Sequence, residues 1–118
     1  MGLTTVELTL SKIGSTRKKI TDQFLVDSGA SLTVLPKALW QALRLKPVDS
    51  VTIRLADGRI EQRQIGFAMA TFGDKTVPTQ VILGEADDSK LMGVLTLEEM
   101  GLILNPLKRT LETAELRM

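Results

Sequence analysis

The amino-acid sequence predicts an all-β domain with one or two short helices. Apolar and polar residues alternate in several short runs, the first of which places Val6, Leu8 and Leu10 on one face. Turn-forming residues separate these runs, and Asp57-Gly58 is the strongest two-residue hairpin signal in the chain. Helical features are confined to two short stretches. Most of the chain is therefore expected to form strands.

The first part of the chain is predicted to hold three strands and a helix. The strands are rich in apolar residues and are bounded by turn residues or proline, and they cover residues 6–10, 18–26 and 32–35. A turn at Gly14-Ser15-Thr16 separates the first two. Pro36 suits the first position of a helix, and helix-forming residues follow it. The helix is therefore predicted over residues 37–45, and Pro47 ends it.

The middle of the chain is predicted to form a hairpin followed by two further strands. Residues 51–56 alternate before the Asp57-Gly58 turn, and residues 59–65 return as a conspicuously polar arm. An arm of this composition has little apolar surface to bury, so it is expected to project into solvent. Residues 67–72 and 77–83 are predicted strands joined by a turn at Gly73-Asp74-Lys75.

The last part of the chain is predicted to contain a short helix between strands. Residues 91–95 are apolar around a central glycine, and Thr96 is predicted to cap a helix over residues 97–100. Glu98 and Glu99 would be surface acids in its first turn, where the helix dipole favours negative charge. Gly101 is predicted to end this helix. Residues 102–104 and 107–111 are the last predicted strands, and residues 112–118 carry no clear pattern.

The composition excludes several kinds of chemistry. The 118 residues suit a single domain, and they include no histidine, cysteine or tyrosine. Ser-His-Asp and Cys-His nucleophiles, thiolate metal sites and disulfides are therefore excluded, and no metal or organic cofactor is expected. A net charge of +1 without a basic stripe gives no support for nucleic-acid binding, and no apolar run is long enough for a membrane span. The absence of cysteine and of a signal-peptide pattern predicts a cytoplasmic protein.

One short segment requires a chemical explanation. An apolar run at residues 24–26 closes on Asp27, which is followed by Ser28, Gly29 and Ala30. Charge is costly to bury, so an acid that closes an apolar run requires a reason. Asp-Ser-Gly is also an ordinary turn sequence, in which Asp and Ser bond nearby backbone and Gly adopts a positive φ. A second segment, Leu91-Met92-Gly93, lies far downstream and is followed at once by the short helix.

In this order and spacing the chain resembles the retropepsin-like aspartic proteases, over nearly its whole length. Asp27-Ser28-Gly29 matches the Asp-Thr/Ser-Gly signature of the family, and Ala30 matches the small residue that follows it. Leu91-Met92-Gly93 matches the second signature of two apolar residues and a glycine. The predicted hairpin falls where the family has its flap. The flap residues implied in this way are Leu55, Ala56, Asp57, Gly58 and Arg59.

The resemblance implies a fold, an activity and a set of site residues. The fold would be a closed, barrel-like acid protease domain acting as a homodimer, in which each copy supplies one Asp27. A water held between the two carboxylates would hydrolyse a peptide bond, because two close carboxylates share one proton and so offer a base and an acid together. Ser28 would bond across the two-fold axis to the backbone of the other copy, and Gly29 would let the backbone approach and donate N–H groups to the carboxylate. Gly93 would let the neighbouring strand pass close to the loop.

Two alternatives stay open at this point. The first is a non-catalytic dimerisation or peptide-binding module on the same fold, with Asp27 as a structural acid. The second is a small β-barrel binding domain unrelated to proteases, whose dimer would hold the two Asp27 carboxylates far apart. Cleavage of a peptide library distinguishes the first alternative from a protease, and the carboxylate separation distinguishes the second.

Overall fold

The computed structural model describes residues 3–15 and 17–114, and its strands far outnumber its two short helices. The predicted all-β class is therefore confirmed. Thr16, in the first predicted turn, and residues 115–118, in the unpatterned tail, lie outside the described residues. The elements in chain order are β1 (Thr5–Ser11), β2 (Lys19–Val26), β3 (Thr33–Leu35), α1 (Lys37–Ala42), β4 (Asp49–Arg54), β5 (Ile60–Phe72), β6 (Lys75–Leu83), β7 (Leu91–Met92), α2 (Val94–Glu99), β8 (Leu102–Asn105) and β9 (Thr110–Thr113).

Six strands close into a ring within a single chain. The hydrogen-bonded order of the large sheet is β1-β2-β7-β3-β6-β5-β4, and β1 also pairs with β5 through Thr9 and Thr71. That extra pairing joins the two sides of the sheet and leaves β4 attached to β5 outside the ring. The β8 and β9 strands form a separate two-stranded sheet. The expected barrel-like closure is thus present.

The core is filled by apolar side chains, and those that the strands contribute occupy alternating positions, as the sequence pattern requires. Leu8 and Leu10 of β1 and Phe24 and Val26 of β2 follow this alternation. The buried cluster consists of Leu8, Leu10, Phe24, Val26, Leu35, Leu39, Leu43, Leu45, Ala68, Ala70, Val81, Leu83, Met92, Leu97, Met100 and Leu102. One copy of the chain therefore builds its own core.

The two signature segments are brought together by parallel strand pairing. In the β2–β7 pair, Leu25 lies opposite Leu91 and Val26 lies opposite Met92. On its other side β7 pairs antiparallel with β3, through Val34 and Leu91. The C-terminal end of β2, where Asp27 follows, consequently lies beside the end of β7.

The first helix is shorter than predicted. Pro36 is the extended N-cap of α1 and not its first residue, and the helix ends at Ala42 instead of continuing toward Pro47. Arg44 stops it, since its φ of 59° is incompatible with a continuing helix. This reversal lets the Leu45 N–H bond the carbonyl of Trp40 and buries the Leu45 side chain in the core.

The flap hairpin differs from the predicted two-residue turn. Its strands are β4 and β5, and the Leu55 N–H donates to the carbonyl of Arg59 while the Gly58 N–H donates to that of Leu55. Gly58 has a φ of 89°, so this is a longer loop with a left-handed glycine after a turn. The two strands predicted at residues 59–65 and 67–72 are one continuous β5. Its first residues, 60–63, pair only with β4, so the hairpin projects from the ring.

The second helix begins earlier than predicted. It starts at Val94 directly after Gly93, so Thr96 lies inside it and is not its cap. Glu98 and Glu99 are in its last turn and not in its first. The last strand also differs, because Leu107 lies in an exposed turn and β9 covers Thr110–Thr113. Along the described residues, neither helix has the length and apolarity that a membrane span requires.

Candidate active site

Asp27 occupies a tight loop at the end of β2. Its carboxylate Oδ1 accepts a hydrogen bond from the Gly29 N–H at 2.8 Å, and its carbonyl accepts one from the Ala30 N–H at 3.1 Å. Asp27 is half-buried, whereas Ser28 and Gly29 are exposed. Gly29 does not have the positive φ of the ordinary turn alternative. A Cβ on it would lie 3.2 Å from Asp27 Oδ1, so a glycine gives the carboxylate the room to approach the backbone.

Backbone groups of the second signature hold this loop from the other side. The Asp27 N–H donates to the carbonyl of Met92 at 3.1 Å. The first two amides of α2 are also used, since Val94 donates to the carbonyl of Ala30 at 2.8 Å and Leu95 donates to that of Ser31 at 3.0 Å. These bonds satisfy helix-terminal N–H groups that usually need a side-chain cap. The start of α2 is therefore set by the Asp27 loop, which explains why Thr96 is not the cap.

Gly93 lies where no larger residue fits. A Cβ at this position would be 2.4 Å from the carbonyl carbon of Leu32 and 2.5 Å from its oxygen. Both atoms belong to the backbone, so a side-chain rotation cannot relieve the contact. The second signature segment can approach the chain that follows the Asp27 loop this closely only because residue 93 is a glycine.

A buried polar cluster links β3, β6 and α2 next to the loop. Thr33 accepts a hydrogen bond from the Gly93 N–H at 3.1 Å and lies 2.6 Å from the hydroxyl of Thr96. Thr96 in turn contacts Thr79 at 2.7 Å, and Thr79 donates to Glu99 Oε1 at 2.6 Å. The sequence pattern did not predict this cluster. The available signal was three threonines at inward positions of otherwise apolar elements.

The flap is held by charges on its returning arm. Asp57 pairs with Arg59 at 2.7 Å, and Arg63 contacts Glu61. Arg63 also reaches Asp88 in the loop after β6 at 3.7 Å, and its side chain is only 13% exposed. The hydrogen bonds of the turn itself are made within the hairpin, including that from Arg54 Nη1 to the carbonyl of Gly58 at 3.3 Å. The base of the arm is thus anchored while its tip is free of the ring.

An ion pair stabilises the approach of β7 to β2. Lys90 Nζ lies 2.8 Å from Asp22 Oδ2, and the Lys90 carbonyl accepts the Leu25 N–H at 3.0 Å. The hydrogen bond from Lys90, together with the Gln23 N–H, lowers the pKa of Asp22 below 3.8. Lys90 directly precedes β7 and lies three residues before Gly93.

The structure brings some of the predicted site residues together and leaves others apart. Asp27 and Ala30 bond directly to residues 92–94 of the second signature and the helix start. The flap residues 55–59 form a separate projecting turn that bonds to itself. Among the described residues, no three His, Cys, Asp or Glu side chains are grouped as a metal site would require. The catalytic role of Asp27 and the substrate-binding role of the flap stay predictions.

Comparisons with known proteins agree with this geometry. The sequence model of the family described as "gag-polyprotein putative aspartyl protease" matches residues 17–99, a range that includes both signature segments and the flap. The structure is similar to that of the simian foamy virus (mac) protease, with a TM-score of 0.52 and 18% sequence identity. The similar region covers 78% of this chain and 91% of the viral one, and at this identity it shows the shared fold. A search of curated protein sequences gave no significant match.

Proposed function

Because the chain belongs to this gag-polyprotein aspartyl protease family, of the retropepsin-like type, we propose that it is an aspartic endopeptidase whose active site forms between two copies. The observation that carries the proposal is the position and hydrogen bonding of the Asp27 carboxylate. A half-buried carboxylate closes an apolar strand, and the N–H of Gly29 fixes one of its oxygens. An acid held in this way is preorganised for chemistry with its remaining oxygen atom.

The second carboxylate must come from a second copy of the chain. An aspartic protease needs two carboxylates with one proton between them, and the second signature here, Leu91-Met92-Gly93, contains no acid. A two-fold axis beside Asp27 would place the two copies of this residue together. Ser28 is exposed at the same loop and is available to bond across that axis, as the resemblance implies.

The proposed reaction uses only water and the two carboxylates. The ionised carboxylate takes a proton from the water while the water oxygen attacks the carbonyl carbon of the peptide. The protonated carboxyl of the other copy donates its proton to the developing oxyanion. The resulting tetrahedral species collapses when a proton passes to the amide nitrogen and the C–N bond breaks. One water is consumed, and one carboxylic acid and one amine are formed. The proton shared by the pair is then restored.

The flap is proposed to cover the substrate. The turn at residues 55–59 projects from the ring, and Leu55 is the one half-buried residue within it. Such a hairpin can close over an extended peptide and offer it main-chain hydrogen bonds. The substrate would therefore bind as a strand, and not as a helix.

The test is peptide cleavage by the purified protein and by two asparagine variants. The wild type should cleave members of a peptide library best below neutral pH, where one proton resides on the pair. Asp27→Asn should remove cleavage and keep the fold, because the amide oxygen can still accept the Gly29 N–H. Asp74→Asn, a change of the same kind in the exposed turn between β5 and β6, is the matched control and should cleave normally.

Two further outcomes decide between the proposed enzyme and its alternatives. Specific activity should fall on dilution as the dimer dissociates, and analytical ultracentrifugation over the same concentrations should follow it. A strictly monomeric protein that cleaves peptides would refute the shared site. A dimer that binds peptides and cleaves none would instead identify the non-catalytic module.

A further inference from the structure

Three threonine hydroxyls and one carboxylate form an unbroken hydrogen-bonded chain that ends at Gly93. Thr33, Thr79 and Thr96 are at most 1% exposed, and the chain runs from Gly93 through Thr33, Thr96 and Thr79 to Glu99. We propose that this chain, named here the threonine relay, orients the Met92–Gly93 peptide and through it positions the backbone of Asp27. Its catalytic consequence rests on the proposed function.

The direction of the relay is fixed by its two ends. Each threonine hydroxyl has one hydrogen to donate, and Thr79 uses its own on Glu99. Thr96 must then donate to Thr79, and Thr33 must donate to Thr96. Thr33 is left with free lone pairs, and it accepts the Gly93 N–H. A reversed chain would leave one buried hydroxyl hydrogen without an acceptor, so only one arrangement satisfies every group.

The relay acts on the peptide group that holds Asp27. The Gly93 N–H and the Met92 carbonyl are the two ends of one planar peptide unit. The N–H end bonds to Thr33 at 3.1 Å, and the carbonyl end accepts the Asp27 N–H at 3.1 Å. A rotation of this peptide would therefore weaken both bonds together, and Thr33 opposes the rotation.

The carboxylate end adds strength as well as direction. Hydrogen bonds in series polarise one another, and a chain that ends on a charged acceptor is stronger than a neutral one. The polarised Gly93 N–H makes the Met92 carbonyl a better acceptor for Asp27. Glu99 is a positioning residue in this scheme, because its carboxylate acts on the Gly93 N–H through three other side chains.

Glu99 also provides a test that leaves the interior intact, because it is exposed on α2. Glu99→Leu removes the acceptor, whereas Glu99→Gln keeps an oxygen that can accept from Thr79. Glu98→Leu is the matched control, since Glu98 is an exposed glutamate on the same helix turn. Within the relay, Thr96→Val removes one buried hydroxyl and Thr96→Ser retains it.

Two measurements follow each variant: the amide proton resonance of Gly93 and the separate values of kcat and KM for a cleaved peptide. Glu99→Leu and Thr96→Val should shift the Gly93 resonance upfield and lower kcat roughly tenfold, with KM little changed, because the reacting geometry is displaced. Glu99→Gln and Thr96→Ser should restore both quantities toward the wild-type values. Glu98→Leu should leave both unchanged.

The proposal and the proposed function fail in different ways. If the wild type cleaves no peptide, the enzyme assignment fails, and the Gly93 resonance still decides whether the relay orients the peptide. An unchanged Gly93 resonance in both Glu99→Leu and Thr96→Val overturns the relay. A fall in kcat that Glu98→Leu reproduces also overturns it, since the effect would then come from the lost charge.

Discussion

Replacing Gly93 with alanine tests the close contact between the second signature segment and the backbone of Leu32, which follows the Asp27 loop. The added Cβ would lie 2.4 Å from the carbonyl carbon of Leu32 and 2.9 Å from its Cα. Carbon atoms attract best at about 3.5–4.0 Å, so the two backbones must separate by about 1 Å. The hydrogen bonds that cross this contact run from Asp27 to Met92, from Val94 to Ala30 and from Gly93 to Thr33. We expect them to lengthen together.

The magnitude follows from two terms. Overpacking in a well-filled site costs about 1–3 kcal/mol, and weakening at least one of the crossing hydrogen bonds adds about 1 kcal/mol. Gly93→Ala should therefore lower the free energy of unfolding by roughly 2–4 kcal/mol, which is a large share of the ~5–15 kcal/mol typical of a domain. Activity per folded molecule should fall as well, because the Met92–Gly93 peptide is displaced.

Urea denaturation measures this loss directly, and Gly66→Ala supplies the control. Gly66, in β5, is also a buried glycine, but a Cβ there would lie 3.1 Å from the nearest atom, the carbonyl oxygen of Lys46. Its expected loss is well below that of Gly93→Ala. If the free energy of unfolding of Gly93→Ala lies within about 0.5 kcal/mol of the wild-type value, as is typical of surface substitutions, the contact with Leu32 is not as tight as these distances indicate.

Three other perturbations have defined outcomes. Asp22→Asn should lower the free energy of unfolding by about 0.2–1 kcal/mol at pH 7, because it removes the partly exposed ion pair with Lys90. Since folding lowers the pKa of Asp22, the difference between the variant and the wild type in urea denaturation should shrink as the pH falls below the ordinary value of 3.8 and Asp22 becomes protonated. Gly58→Val should cost about 1–2 kcal/mol, because its φ of 89° is strained for a β-branched residue, and its peptide turnover should fall further than its stability. Arg63→Met should speed hydrogen exchange in the flap strands and leave β1 protected, because Arg63 links the returning arm of the flap to Asp88. Equal exchange rates in the variant and the wild type would show that this ion pair does not stabilise the flap.

Alternation along the sequence located most strands, but it could not locate their ends. The polar and apolar halves of β5 were predicted as two strands divided at Gly66. In the structure odd-numbered side chains such as Arg63 and Ile65 point inward before Gly66, whereas even-numbered ones such as Ala68 and Ala70 are buried after it. The strand pairs with β4 in its first half and with β6 and β1 in its second, so its buried face changes without a break. Local periodicity alone cannot distinguish this change from a turn.

The helix start and the threonine relay depended on contacts that sequence patterns do not contain. Thr96 fits an N-cap by its position before a pair of acids, yet the carbonyls of Ala30 and Ser31 take over that role from more than sixty residues away. Thr33 and Thr79 belong to β3 and β6, which are far apart in the sequence and pair with each other only after folding. Three threonines at inward positions nevertheless indicate a buried hydrogen-bonded cluster, because buried hydroxyls require hydrogen-bond partners.

Folding and chemistry are separable in this chain. The ring closes and the core fills within one copy of the chain. The loop around Asp27 is positioned mainly by backbone groups, and the carboxylate itself contributes one hydrogen bond, from Gly29. Under the proposed mechanism, a change of one oxygen atom of the Asp27 side chain would remove the reaction and keep the fold. The proposed activity would, in contrast, require a second copy to bring the other carboxylate, so the association of two copies would control the reaction without having to control the fold.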